Sequence, residues 1–319
     1  MTSLAPELDL EALRAADARI APHVRQTPLI ELVPTGLRLK AESLQTIGAF
    51  KQRGAFNALL SLSAAERARG VLAFSSGNHA QAVAYAASIL GVRATVVMPS
   101  DAPRVKLEGT RRWGAEVILV GPGSAERAAR AAQLMSERDH VLVPPFDAWP
   151  IMQGTATIGL EILAAAPEVR TVYAPVSGGG LLAGVAAAVK QLDPTVRVIG
   201  VEPELADDAA QSVRSGERVI LSPEHTARTI ADGLRAQQLG EKTWSVIRTH
   251  VDDIVTVSED AMKAAMRQIA REARLIAEPS GAVAIAGALA HAADPNRSVA
   301  VLSGGNVDMQ AYAAVLTEG

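Results

Sequence analysis

A chain of 319 residues, 49% of them hydrophobic, is long enough to build two packed lobes around a sizeable core. The absence of cysteine excludes disulfides, thiolate zinc sites, iron–sulfur clusters and cysteine nucleophiles, and the six histidines are scattered without the spacing that sets two imidazoles on one helical face. A formal charge of −3 without basic clusters argues against nucleic acid and anionic membrane, and leaves small molecules as the natural partners.

The chain opens with Leu8, Leu10, Leu13 and Ile20 set among Glu7, Asp9, Glu11, Arg14 and Asp17, an amphipathic helix rather than a secretory leader, so a cytoplasmic protein is expected. Short β-rich runs then alternate with alanine-rich helical stretches. Strands are predicted over 71–74, 94–98, 116–120, 141–143, 171–176, 196–201, 253–257 and 298–303, with helices such as 79–90, 124–136, 181–191 and 259–274 between them. That alternation predicts an α/β fold of mainly parallel sheets. The segment Pro144-Pro145-Phe146-Asp147-Ala148-Trp149-Pro150 reads as a turn between lobes. The uncharged stretch from Thr171 to Val189 is nominally long enough to cross a bilayer, but Pro175 and Gly178, Gly179 and Gly180 break it into strand, loop and helix.

Five motifs carry chemistry. In Gly48-Ala49-Phe50-Lys51-Gln52-Arg53, a partly desolvated lysine at the opening of a helix becomes a nucleophilic amine, although a lone lysine is far more often an ordinary solvated one. Ser75-Ser76-Gly77-Asn78-His79 follows a strand and opens a helix, which makes a carboxylate cradle or simply a helix cap. Ser177-Gly178-Gly179-Gly180-Leu181 lets backbone approach a phosphate at a helix N-terminus. The same loop matches a dinucleotide fingerprint from Gly178 to Ala183, with Glu202 closing the following strand, so a nicotinamide-dependent oxidoreductase stays open on these residues alone. Glu202-Pro203-Glu204-Leu205-Ala206-Asp207-Asp208 offers oxygens to magnesium or calcium, or is a solvated acidic turn. Ser303 ends the last predicted strand before Gly304-Gly305-Asn306.

In this order, the motifs resemble the fold-type II pyridoxal-phosphate enzymes of the threonine/serine dehydratase and serine racemase family, from Arg25-Gln26-Thr27-Pro28-Leu29 to Ser303-Gly304-Gly305-Asn306-Val307-Asp308. The resemblance implies a tryptophan synthase β-like fold with two lobes: residues 1–62 and 148–319 form a large cofactor-binding domain, and 70–147 a small domain closing over the substrate. It implies pyridoxal 5′-phosphate held as an imine by Lys51, with Phe50 near the ring, Asn78 on the ring hydroxyl, Gly178, Gly179, Gly180 and Leu181 around the phosphate and Ser303 at the pyridine nitrogen. Ser75, Ser76, Gly77, Asn78 and His79 would take the substrate carboxylate, while Glu202, the Ala206 carbonyl and Asp208 would hold a divalent cation. The implied reaction converts a β-hydroxy amino acid such as serine or threonine to a 2-oxo acid and ammonia, with serine racemisation as the alternative and Ser76 as its second acid/base. A homodimer is implied as well. The sequence departs from the family at Ala49, at Ser177 and at Gly154-Thr155-Ala156-Thr157, a segment the resemblance places by the active-site mouth.

Overall fold

The computed structural model describes residues 5–75, 77–121 and 124–318, so Ser76 lies outside the described residues. Among the described residues ten strands form two sheets: β1 (Leu29–Leu32), β2 (Leu37–Ala41), β3 (Val71–Phe74), β4 (Ala94–Pro99), β5 (Glu116–Val120), β6 (Val141–Leu142), β7 (Thr171–Pro175), β8 (Arg197–Pro203), β9 (Asp253–Val257) and β10 (Ser298–Leu302). The larger sheet has the order β1-β2-β10-β7-β8-β9 and the smaller β5-β4-β3-β6. Among the described strands the edge hairpin β1–β2 pairs antiparallel and the other strand pairings are parallel.

The central parallel strands β7 and β10 are buried on both faces because helices cover both. Val172, Val198, Val299 and Val301 pack with the helices Trp149–Ala165 and Gly180–Leu192, while Tyr173, Ile199, Ala300 and Leu302 pack with the helix Pro279–His291. Successive side chains on β7, β8 and β10 thus enter different cores, as the two-residue period requires. The expected uncharged stretch resolves into β7 and the helix Gly180–Leu192, and no described helix is long and apolar enough to cross a membrane.

Three features depart from the sequence reading. The hairpin β1–β2 is absent from it because Leu37, Leu39 and Ala41 alternate with Arg38 and Lys40, which resembles an exposed edge; Lys40 is nonetheless buried, its ammonium paired with Glu161. The predicted helix over 259–274 stops at Gln268, continues as a π-helical turn over Ile269–Ala273, and ends at Arg274 with φ 58°. The segment Gly154-Thr155-Ala156-Thr157 does not line a mouth: it is buried within the helix Trp149–Ala165. A Cβ on Gly154 would sit 2.5 Å from the Arg53 carbonyl oxygen, so the close approach to the helix Lys51–Leu60 fixes its place.

That helix is held by charge from beneath. The fully buried Arg53 donates through Nε to Glu42 Oε2 at 2.8 Å and through Nη1 to Glu161 Oε1 at 2.7 Å, and Thr27 Oγ1 donates to Glu42 Oε1 at 2.5 Å. Burial alone would raise the Glu42 pKa, but the Arg53 guanidinium, with Lys40 and Thr27, outweighs it and holds the carboxyl below its usual 4.5.

Candidate active site

In parallel sheets the loops at the carboxyl ends of the strands converge on a crevice. Here β3 leads to Ser75–Asn78, β7 to Ser177–Gly180 and β10 to Ser303. The start of the helix Lys51–Leu60 is tied to the last of these: the Phe50 amide donates to the Ser303 carbonyl at 3.0 Å, and Ala49 bridges Gly304.

Lys51, the first residue of that helix, is partly accessible but densely surrounded by protein, and Nζ donates to the Pro145 carbonyl at 2.6 Å. The Phe50 ring centroid lies 5.1 Å from Nζ. Burial, with no carboxylate opposing it, pulls the Lys51 pKa down from 10.5 to about 8. A second buried lysine shows the contrast. Lys106 Nζ lies 2.6 Å from Asp232 Oδ2 and 3.0 Å from Glu278 Oε2, and these carboxylates outweigh burial and raise its pKa. Lys51 is therefore the readily deprotonated amine of the two, and Lys106 a fixed cation.

The glycine loop is anchored through its carbonyls. Gly178 O accepts from Thr243 Oγ1 at 2.7 Å and from the Gly240 amide at 3.2 Å, and Gly180 O accepts from Thr155 Oγ1 at 2.8 Å. Asp147 in turn accepts from the amides of Glu241, Lys242 and Thr243, which fixes the start of the helix carrying Thr243. Among the described residues, no acceptor is recorded for the amides of Gly178, Gly179, Gly180 or Leu181, which open the helix Gly180–Leu192. Four free amides at a helix start form an anion cradle. Glycine is required there: Gly179 has φ +94°, and a Cβ on Gly178 would lie 2.4 Å from the Phe146 ring.

On the β3 side, Ser75 Oγ accepts from the Gly77 amide at 3.2 Å and Asn78 opens the helix Asn78–Leu90. Asn78 Nδ2 donates to Glu278 Oε1 at 2.5 Å, while Asn306 Nδ2 donates to Asn78 Oδ1 at 2.9 Å. His79 Nε2 faces the Val143 carbonyl at 2.9 Å, so that nitrogen carries the proton. Burial, then the Lys51 charge, lower the His79 pKa to about 3, so it stays neutral. Ser303 Oγ donates weakly to the Ser280 carbonyl at 3.4 Å.

The acidic loop lies at the end of β8. Both Glu202 oxygens are used, accepting from the Ala209 amide at 3.2 Å and the Ala210 amide at 2.8 Å. Asp208, the first residue of the helix Asp208–Ser215, is 1% exposed and neither of its oxygens has a hydrogen-bond partner. Burial first, then the neighbouring charge, raise both carboxyls: Glu202 well above its usual range because of Asp208, and Asp208 to about 7 with Asp207 beside it. Ala206 is buried between them in sequence. No group of three or more His, Cys, Asp or Glu residues suited to a metal occurs among the described residues, so a cation here would depend on backbone oxygens as well.

Lys51, Phe50, Asn78, Gly178–Leu181 and Ser303 thus belong to one crevice, whereas Glu202, Ala206 and Asp208 form a separate acidic locus. The sequence reading missed Asp147, which looked like part of a turn, and Lys106 and Glu278, which no motif marks: Lys106 lies among other charges on the helix Arg104–Arg112, and Glu278 just precedes the helix Pro279–His291.

Residues 20–304 match the family model described as pyridoxal-phosphate dependent enzyme. The L-threo-3-hydroxyaspartate ammonia-lyase of Saccharomyces cerevisiae is 40% identical over 310 residues, 95% of this chain and 94% of that protein. The catabolic L-threonine dehydratase of Escherichia coli is 40% identical over 275 residues, 85% of this chain and 83% of that protein. The solved structure of maize serine racemase superposes with a TM-score of 0.90 at 37% identity and covers 96% of each chain.

Proposed function

Because the chain belongs to the pyridoxal-phosphate dependent enzymes, in their fold-type II dehydratase and serine racemase group, we propose that it eliminates water from a small β-hydroxy amino acid to give a 2-oxo acid and ammonia. The observation that carries this reading is the pairing of an enclosed, carboxylate-free Lys51 amine with four unsatisfied amides at Gly178–Leu181. The cradle fits a phosphate and the amine fits an aldehyde, so the residues present suit the cofactor. When bound, that cofactor supplies an electron sink for the pair left behind when the Cα proton departs. Ser303, a neutral hydroxyl, and Asn78 would hold its ring, and Phe50 would pack beside it.

In this reading, Ser75–Asn78 hold the substrate carboxylate at the start of the helix Asn78–Leu90, where free amides favour an anion. Lys51, with its pKa near 8, takes the Cα proton. The Cβ–O bond breaks, and the hydroxyl leaves as water with one proton. The released product exchanges its nitrogen for a water oxygen, so one amino acid gives one 2-oxo acid and one ammonium. Residues 70–147 close over the bound substrate, and the protein works as a homodimer in the cytoplasm.

Elimination is supported by the ammonia-lyase and dehydratase relatives, and the maize serine racemase structure supports a racemase capacity with Ser76 as second acid/base. A divalent cation on Glu202, the Ala206 carbonyl and Asp208 completes the reading, supported by the orphaned Asp208 oxygens.

The deciding experiment incubates the protein with pyridoxal phosphate, records the visible absorbance band and its loss on borohydride treatment, and assays 2-oxo acid release from serine, threonine and 3-hydroxyaspartate. Lys51→Ala is expected to lose the borohydride-sensitive band and turnover while keeping its far-ultraviolet dichroism. Turnover by that variant at the native rate refutes the assignment. For the racemase component, chiral analysis of recovered serine is expected to show inversion that Ser76→Ala removes.

A further inference from the structure

Glu278 sits where the π-helical turn over Ile269–Ala273 and the left-handed Arg274 redirect the chain into the helix Pro279–His291. Glu278 occupies the position just before that helix, but its side chain makes no cap hydrogen bond. Its carboxylate, 1% exposed, turns instead toward the crevice. Oε1 accepts from Asn78 Nδ2 at 2.5 Å and lies so close to Gly304 that a Cβ there would meet it at 2.2 Å. Oε2 is 3.0 Å from Lys106 Nζ, a charge contact rather than an aligned hydrogen bond. The carboxylate therefore touches Asn78 and borders the Ser303–Gly304 strand end, next to both expected ring contacts.

The Asn78 amide is gripped from two sides. Its oxygen accepts from Asn306 Nδ2 at 2.9 Å, and that donor also reaches the Ile47 carbonyl at 2.8 Å. Its nitrogen has two hydrogens, of which one goes to Glu278. A flipped amide would set its oxygen against the Glu278 carboxylate and its NH2 against the Asn306 NH2, so one orientation is enforced, with one N–H left over.

We propose that Glu278 is a positioning residue that, together with Asn306, locks the Asn78 amide so that its remaining N–H faces the cofactor ring hydroxyl, with Lys106 from the helix Arg104–Arg112 as the counter-charge. The proposal rests on the cofactor reading above and adds a residue to it.

The test loads native protein, Glu278→Ala, Glu278→Gln, Asn78→Ala and the double variant with pyridoxal phosphate, and reads the visible absorbance maximum and the cofactor dissociation constant. Glu278→Ala should move the maximum and weaken cofactor binding about tenfold, the worth of one well-placed hydrogen bond to a charged site. Glu278→Gln keeps an acceptor oxygen for Asn78 and should restore the native band. The double variant should match Asn78→Ala, because Glu278 acts only through that amide. Should Glu278→Ala not fold, Asn306→Ala cuts the other hold and should reproduce the spectral change. A native band in Glu278→Ala or Asn306→Ala, or additive effects in the double variant, overturns the proposal alone; a native protein that takes up no pyridoxal phosphate overturns the cofactor reading with it.

Discussion

Two buried clusters of carboxylates titrate in opposite directions. Beneath Lys51, Glu42 is enclosed completely, yet its pKa is lowered because Arg53 and Lys40 share the space. At the end of β8, Glu202 is enclosed to the same degree, but its pKa is raised because Asp208 is the neighbour and no cation opposes the pair. Burial costs the two glutamates alike; what differs is whether the chain itself provides the opposite charge. The first cluster is complete as folded. The second needs a proton or a cation.

Deleting the cation from the complete cluster should produce the largest effect. Arg53→Ala leaves Glu42 and Glu161 without their guanidinium and should cost about 3–5 kcal/mol of unfolding free energy, measured by denaturant titration. A loss under 1 kcal/mol would mean that the two clusters do not differ as described. Supplying a cation to the incomplete cluster comes next. Magnesium or calcium at a hundredfold excess over its dissociation constant should stabilise the native protein by about 2.7 kcal/mol, and neither Glu202→Gln nor Asp208→Asn should respond. A melting temperature unmoved by cation or chelator removes the metal from the reading.

The pH dependence sharpens the contrast. Glu42, with its pKa lowered from 4.5, contributes stability that is present above that value and lost on acidification. Asp208, raised from 3.8 to about 7, contributes stability that is full below about pH 3.8 and lost as pH rises toward 7. In chelator, the unfolding free energy should therefore carry a downward component between pH 4 and 7 that Asp208→Asn lacks. An identical profile in the variant contradicts the assignment. The same linkage implies that at pH 8 without cation Asp208→Asn should stabilise the protein, because the variant removes the charge whose burial raises the pKa, and a denaturant titration at that pH checks the sign.

The strand, glycine loop and helix at Val172–Leu181 were legible because an apolar run, three glycines and an apolar helix announce themselves locally. Lys51 and the run Ser75-Ser76-Gly77-Asn78 stand out in the sequence only once placed in the order of a known family. The hairpin β1–β2 was not legible, because Lys40, one of its charged alternate residues, is buried by a partner distant in sequence: it meets Glu161 across 121 positions. The crevice charges are hidden for the same reason. Lys106 reaches Asp232 across 126 positions and Asn78 reaches Glu278 across 200, separations that no local pattern encodes.

The chain order of the larger sheet sets a timetable for its assembly. Strand β2 hydrogen-bonds β10 in parallel, with Arg38 opposite Val299, so this early hairpin has its neighbour in a strand made far later in the chain. The four strands of the smaller sheet, by contrast, all fall between Val71 and Leu142 and can pair as soon as they emerge. Translation then yields a structured inner segment while both ends of the larger sheet wait for each other, and closing so long a loop is a slow step. Lys51 follows β2 and Ser303 follows β10, so the crevice can form only at that final closure, and a chain truncated before Ser298 would keep its inner sheet yet have no place for the cofactor.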